Sequence, residues 1–251
     1  MTHAPTDARP AISSATDDYL LGMRTIAPLL VAAGPVGLLF GALAAQKGLS
    51  ALEILLMSAF VFAGGSQFVA LDMWTTPLPW LTIALSTFLV NMRHVLMSMS
   101  LGPSTTTFTR TQKLVGFLFL ADEVWALSEQ KAARVQLSFA YYMGLVVPFY
   151  LMWVLSSFVG AFVGAAFTNP EAIGLDFAFT ALFVFLVMSF WRGKRTGAVL
   201  AASGLAATIV YASVSGPWYI VAGTAAGMIT AAICAKVFGL ESDRITQEAT
   251  R

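Results

Sequence analysis

The sequence has few of the residues that metal sites and disulfides need. Its 251 residues include one cysteine and two histidines. One histidine, His3, lies in the polar N-terminal stretch. A lone cysteine, Cys234, excludes a disulfide within the chain, and the ligand count excludes a structural zinc site. We therefore expect no metal and no other cofactor.

Charged residues are also scarce, because they make up 11% of the chain while 58% of it is hydrophobic. A soluble globular domain carries about a quarter charged residues. The net charge of +1 gives no basic surface for nucleic acid. The first 24 residues lack the charged start and apolar core of a cleaved signal peptide, so we expect none. This composition is typical of a protein embedded in a lipid bilayer.

Long apolar segments fill most of the chain. Because lipid offers the backbone no hydrogen bonds, such segments form helices or short barrel strands, and these are too long for strands. The sequence predicts an all-α, polytopic transmembrane helix bundle of six to eight membrane segments over residues 25–238, between polar cytoplasmic tails at 1–24 and 239–251. The segments are 25–46, 51–72, 78–101, 114–130, 136–166, 176–191, 196–214 and 217–238.

Two topologies fit the distribution of Lys and Arg, which favour the cytoplasmic side. If all segments cross, most loop cations lie inside. If segments 25–46 and 114–130 instead dip into the membrane and return, all of them do. Both alternatives place the N- and C-termini in the cytoplasm of a bacterial cell, with the chain in the inner membrane.

Polar side chains within apolar segments are the candidate functional residues. An ionised side chain at the bilayer centre costs about 2.5–3.5 kcal/mol, so such residues face a cavity or each other. The strongest cluster is Asn91, Arg93 and His94, well inside segment 78–101. The acids Asp122 and Glu123 interrupt segment 114–130. They are candidates for pairing with Arg93, binding a substrate ammonium or carrying a proton.

Glycine pairs predict interrupted helices. Gly64 and Gly65, followed by Ser66 and Gln67, favour a break that frees backbone groups for binding ions or charged substrate groups. A second candidate break lies in segment 25–46. It comprises Gly34, Pro35 and Gly37.

These same residues resemble the AzlC family. The similarity covers about residues 26–236 and is strongest at 34–41, 63–68, 91–94 and 122–123. It lies in the runs AGPVGLLFGALAAQKGLSALEILLMSAFVFAGGSQFVAL, LVNMRHVLMSMSL and LADEVWAL. The resemblance implies the large subunit of a two-component branched-chain amino acid exporter. It further implies export of valine, leucine or isoleucine (in some members methionine), a small AzlD-like membrane partner, and energy from protons.

A zwitterionic substrate needs both of its charges paired within a membrane. We expect Arg93, with Asn91 in the same cluster, to bind the carboxylate. The alternative is that the free amides near Gly64–Gln67 bind it instead. Asp122 or Glu123 would take the ammonium, and apolar side chains such as Trp125 would face the substrate side chain. His94, Asp122 and Glu123 are the candidates for proton coupling.

Two other classes of function stay open at this point. Buried charges also suit a passive channel or a receptor. An intramembrane serine protease would use Ser66 and His94, although Gln67 replaces the glycine that usually follows such a serine. Our expectation is a transporter and not an enzyme.

Overall fold

The computed structural model of the chain describes residues 14–166, 193–214 and 218–249, together with Val184, Val187, Met188, Trp191 and Gly216. Within these residues the chain forms helices and no strand. The predicted all-α class is therefore confirmed. Most of the segment predicted at 176–191 lies outside the described residues.

The helices alternate between long apolar ones and short ones. Five helical stretches are long and apolar enough to cross a bilayer, namely 15–46, 80–105, 139–164, 194–213 and 218–236. This confirms a polytopic membrane protein. The elements are α1 (Ala15–Gln46), α2 (Ala51–Phe60), α3 (Gly64–Asp72), α4 (Trp80–Leu101), a 3-10 helix (Gly102–Thr105), α5 (Arg110–Leu118), α6 (Asp122–Ala132), α7 (Phe139–Ala166), α8 (Lys194–Ser213) and α9 (Trp218–Ala249).

The first helix begins earlier than its hydropathy predicts. Ser14 is the N-cap of α1, and its side chain accepts a hydrogen bond from the Asp17 amide while Asp17 caps Ser14 in return. This capping box satisfies amides that the first turn leaves free. Residues 15–24, which we assigned to a polar tail, are consequently the first turns of α1.

The described helices group into two compact units. The first unit contains the described residues up to Gly64 together with Arg93–Ala166. The second unit contains Gly65–Met92 and the described residues after Ala166. The boundary passes through α4, whose N-terminal part belongs to the second unit and whose C-terminal part belongs to the first.

In the first unit, α1 and α7 pack with their backbones in contact. A Cβ atom added to Gly41 would overlap the Ser157 carbonyl oxygen, and one added to Gly160 would overlap the Leu38 carbonyl oxygen. Small residues at such positions let membrane helices approach closely. The α1–α7 pair is therefore the tightest helix contact of this unit.

Helix α1 runs without interruption through Gly34, Pro35 and Gly37, where we expected a break. Proline removes one amide donor but leaves the remaining ladder of the helix intact. Packing on α7 explains the glycines better, because a Cβ on Gly37 would overlap the Ser156 hydroxyl. These residues serve a helix contact and do not open the backbone.

The two segments predicted at 51–72 and 114–130 are each broken into two short helices. The first leaves helical geometry at Val61 and resumes at Gly64, so the break comes directly before the paired glycines, Gly64 and Gly65. The second is interrupted at residues 119–121, between α5 and α6. Both breaks lie beside α7.

Tyrosines of α7 satisfy the backbone where these helices end. The Tyr150 hydroxyl donates to the Ala59 carbonyl oxygen (3.1 Å), near the end of α2. The Tyr142 hydroxyl donates to the Gly116 carbonyl oxygen (2.8 Å), near the end of α5. Terminal carbonyls of a helix lack their usual partner within it, so these hydroxyls supply donors where the helices end. The Gly116 carbonyl also accepts from the Phe119 amide at 3.3 Å.

The second unit contains a pair of helices with large apolar side chains on its surface. Helices α8 and α9 approach at Gly223, where an added Cβ would lie 3.1 Å from the Ser203 carbonyl oxygen. The Tyr211 and Tyr219 rings meet edge to face at 5.5 Å. No residue of α8 is buried within the described structure, as is typical of a helix whose apolar surface faces lipid.

Candidate functional site

An ion pair joins α4 to the first turn of α6 in the first unit. Arg93 Nη1 lies 2.7 Å from Asp122 Oδ2, and the two side chains are 38% and 36% exposed. The pair connects two of the polar clusters that the sequence singled out. Ion pairing offsets the cost of placing either charge among apolar helices.

The break before α6 places Asp122 where it can meet Arg93. The N-cap, Ala121, is extended and provides no side-chain hydrogen bond. Asp122 and Glu123 therefore occupy the first turn, where free amides favour negative charge. The same local geometry starts the helix and presents the acid to Arg93.

A second contact between α4 and α6 lies seven residues further along both helices. Ser100 Oγ donates to Glu129 Oε1 at 2.5 Å. The spacing from Arg93 to Ser100 equals the spacing from Asp122 to Glu129. Residues 93–100 of α4 and 122–129 of α6 consequently run in the same direction, side by side.

Two buried donors in this region have no acceptor. Arg93 Nε and Trp125 Nε1 are both inaccessible to solvent and make no hydrogen bond to the described residues. Most buried polar groups in native proteins are paired, so an orphaned donor requires an explanation. Trp125 also packs against the core cluster of this unit, which includes Val124 and Met97.

His94 and Glu123 lie near the ion pair in sequence but outside it. Arg93 pairs with Asp122 and not with Glu123, whose side chain is half-buried. His94 lies on an open face of α4, together with Val95, Ser98 and Met99. The predicted stripe from His94 to Ser98 thus lies on one face of this helix.

The second unit has its own polar pair. Ser66 Oγ donates to Asn91 Oδ1 at 2.5 Å, joining α3 to the N-terminal part of α4. Ser66 and Gln67 are fully buried. An amide oxygen cannot act as a base at neutral pH, so this partner does not activate Ser66 as a nucleophile.

The paired glycines differ in what they contact. A Cβ on Gly64 would lie 2.9 Å from the Trp153 indole, so this glycine admits an aromatic ring of α7 in the first unit. Gly65 follows in the first turn of α3. Packing therefore accounts for Gly64.

Sequence reasoning missed the two tyrosine caps and the Ser100–Glu129 bond. Each depends on a partner more than 25 residues away, so no local pattern reveals it. Among the described residues, no group of three or more His, Cys, Asp and Glu side chains is placed to hold a metal ion.

The helices and the intramembrane ion pair define a class, the polytopic α-helical membrane proteins with paired charges inside their apolar segments. Within that class, the model of the AzlC family, described as "AzlC protein", matches residues 28–167. The chain belongs to the AzlC family. The matched region runs from α1 to the end of α7 and contains both polar pairs.

Curated relatives agree with this assignment. The chain is 31% identical to the inner membrane protein YgaZ of Escherichia coli K12, over 90% of this chain and 93% of YgaZ. It is 25% identical to the branched-chain amino acid transport protein AzlC of Bacillus subtilis 168, over 64% of this chain and 63% of that protein. An uncharacterized membrane protein of Helicobacter pylori J99 is 29% identical over 73% of this chain and 80% of its own length. No solved structure matches the chain.

Proposed function

We propose that this protein is an inner-membrane secondary transporter that exports branched-chain amino acids. It works as the large subunit of a two-component exporter, with a small AzlD-like membrane protein as its partner. The observation that carries the proposal is the Arg93–Asp122 ion pair between apolar helices. Membership of the family supports it, since one relative is named as a branched-chain amino acid transport protein.

The substrate chemistry fits the charges of the first unit. Valine, leucine, isoleucine and methionine are zwitterions with an apolar side chain. A membrane site must pair both charges of such a ligand, or desolvation forbids binding. Arg93 provides the positive charge, and Glu123, which Arg93 leaves unpaired, provides the negative one.

The pocket should accept several related amino acids. One methylene changes binding by only about 1–3 kcal/mol in an apolar pocket. Apolar side chains are abundant around the ion pair, where Trp125 packs against the core. We therefore expect several related substrates and not a single one.

Proton coupling is assigned to His94, Asp122 and Glu123 as alternatives. Asp122 already pairs with Arg93. Glu123 and His94 are the other two candidates. Whichever of them exchanges protons during transport couples export to the proton gradient.

We expect both termini to lie in the cytoplasm. Helix α1 has 32 residues and is about 48 Å long, enough to cross the bilayer as one helix. The distribution of Lys and Arg supports cytoplasmic termini.

Efflux from cells loaded with a valine-containing dipeptide tests the function. Cells that express the chain with an AzlD-like partner should release valine faster than cells without it. Arg93→Ala and Glu123→Gln should each abolish this release while protein levels stay near normal. Glu129→Gln is the matched control, because glutamine can still accept the Ser100 hydrogen bond.

Wild-type efflux from Arg93→Ala would remove the ion pair from the mechanism. Sealed vesicles then separate a transporter from a passive channel. Uphill accumulation driven by a proton gradient supports the transporter, whereas movement only down the valine gradient contradicts it.

A further inference from the structure

The guanidinium of Arg93 has one edge paired with Asp122 and another edge without an acceptor. Its Nη1 contacts Asp122, while its Nε is buried without an acceptor among the described residues. A guanidinium presents donors on more than one edge of a rigid plane. The N–H of Nε points along a different edge from the Nη1 bond, so Asp122 leaves that edge available.

The indole of Trp125 is a second open donor on the facing helix. Its Nε1 is buried and has no hydrogen-bond partner among the described residues. An indole N–H can only donate, so its missing partner must be an acceptor. Leaving such a donor unpaired costs more than a typical hydrogen bond contributes.

Helix geometry brings the two donors to the same place. Trp125 lies three residues after Asp122, and residues at this spacing neighbour each other on a helix. Arg93 contacts Asp122 directly and lies four residues before Met97, on the same face of α4. Trp125 packs against the core cluster that contains Met97. The two unpaired donors therefore belong to residues on either side of Asp122, one bonded to it from α4 and one a helical turn further along α6.

We propose that the Nε edge of Arg93 and the indole N–H of Trp125 together bind the carboxylate of the transported amino acid. The proposal rests on the proposed function and deepens it. Asp122 is then a positioning residue, which holds Arg93 by Nη1, and it does not bind the substrate ammonium. Trp125 acts as a hydrogen-bond donor and not only as an apolar wall.

The chemistry of the site selects a carboxylate over its neutral analogue. Both open groups are donors, and one of them carries a positive charge. A carboxylate offers two oxygens and binds side-on to a guanidinium edge. A carboxamide offers one neutral oxygen, and its NH₂ group is a donor. In this site the NH₂ group would meet a second donor and would have no acceptor.

Equilibrium binding to the full chain, co-expressed with an AzlD-like subunit and reconstituted in lipid nanodiscs, tests the proposal. The probes are L-valine, L-valinamide and 3-methylbutanoate, which lacks the ammonium. Wild-type protein should bind L-valine more tightly than L-valinamide. Trp125→Phe should weaken L-valine binding about 10-fold or more and L-valinamide binding much less, since a hydrogen bond to a charged group is lost.

Two variants support the interpretation. Arg93→Lys keeps the positive charge and a partner for Asp122 but loses the Nε edge, so it should reduce the preference for L-valine over L-valinamide as well. It also tests the proposal if Trp125→Phe does not fold. Trp218→Phe, at an exposed tryptophan of the second unit, should bind both probes as the wild type does.

The outcomes separate this proposal from the proposed function. If Trp125→Phe and Arg93→Lys keep the wild-type preference for L-valine while valine is exported, the carboxylate site is overturned and export stands. An equal loss for both probes would make Trp125 an apolar wall and also overturn it. If no amino acid is exported but 3-methylbutanoate binds with the same dependence on both residues, the carboxylate site stands and amino acid export fails.

Discussion

At the scale of residues, the ion pair between Arg93 and Asp122 joins two of the polar clusters that the sequence singles out. Arg93 and Asp122 come from separate helices, and each would be costly among apolar segments without the other. Glu123 and His94 flank the pair in sequence and have no part in the 2.7 Å contact. The arrangement separates the paired Arg93 and Asp122 from two further titratable residues next to them in sequence.

His94→Gln tests which of those groups carries the proton. Glutamine keeps hydrogen-bonding capacity but does not titrate, so we expect valine efflux to continue with a flattened dependence on pH. The measurement is the initial efflux rate between about pH 5.5 and 8, which brackets the ordinary pKa of histidine. An unchanged pH profile would leave His94 with a structural role and turn attention to Glu123.

The hydrogen bond of Ser66 argues against the serine protease hypothesis. Its hydroxyl is buried and donates to Asn91, so the partner it has is not a base. The protease hypothesis needed a base at this position. The geometry of the second unit instead uses Ser66 to join two helices.

At the scale of helices, the two breaks depend on hydroxyls of α7. Without Tyr150 and Tyr142, the carbonyls of Ala59 and Gly116 would lose their side-chain donors inside a bundle that excludes water. Phe119 and Phe62 pack edge to face on the Tyr150 ring, at 5.1 and 5.2 Å. One residue of α7 thus contacts both interrupted segments.

Tyr150→Phe isolates the contribution of its hydroxyl. The ring contacts remain, and only the bond to Ala59 is lost, so we expect a loss of about 1 kcal/mol in stability. Thermal unfolding of the purified chain in detergent measures it as a lower midpoint. Tyr211→Phe, at an exposed tyrosine of α8, is the control. Equal midpoints for the two variants would contradict the capping role.

Gly41→Ala tests the close contact of α1 and α7. The added methyl group would overlap the backbone of Ser157, so the helices must separate and we expect folded protein to decrease strongly. Gly204→Ala is the matched control, because it makes the same change at a position where an added Cβ meets nothing within 4 Å. Alanine favours a helix over glycine by about 1 kcal/mol, so this control should be neutral or slightly stabilising. Size-exclusion profiles of both variants provide the comparison.

At the scale of the whole molecule, the sequence predicts the helices better than it predicts their ends and partners. Hydropathy alone locates the long helices at 80–101 and 139–166. It misses the first ten residues of α1, because a polar helix end held by the Ser14 cap has no apolar signal. It also suggests a break at Pro35 that packing against α7 removes.

For the candidate site too, the sequence predicts the residues better than it predicts their partners. The residue types that lipid excludes identify Arg93 and Asp122 from the sequence, since their cost does not depend on knowing the fold. Which acid pairs with Arg93, and which of its nitrogens stays open, depends on the start of α6 and on side-chain direction. These details require coordinates.

Labelling of single cysteines tests the arrangement across the membrane. In a Cys234→Ser background, Thr106→Cys precedes α5 and Gln136→Cys follows α6, and both positions are exposed. If α5–α6 crosses, an impermeant maleimide added to intact cells should reach Thr106→Cys and not Gln136→Cys. Permeabilised cells, in which both should react, are the control. Protection of both positions in intact cells would instead mean that the segment returns to the cytoplasmic side.

The glycine contacts between α1 and α7 also limit how the protein can move. Two helices whose main chains touch have no layer of side chains that can rearrange to let one slide along the other. In any conformational change, we therefore expect α1 and α7 to move together as one rigid body. We therefore expect conformational change elsewhere in the first unit, with the interrupted helices as the first candidates because the chain already bends there.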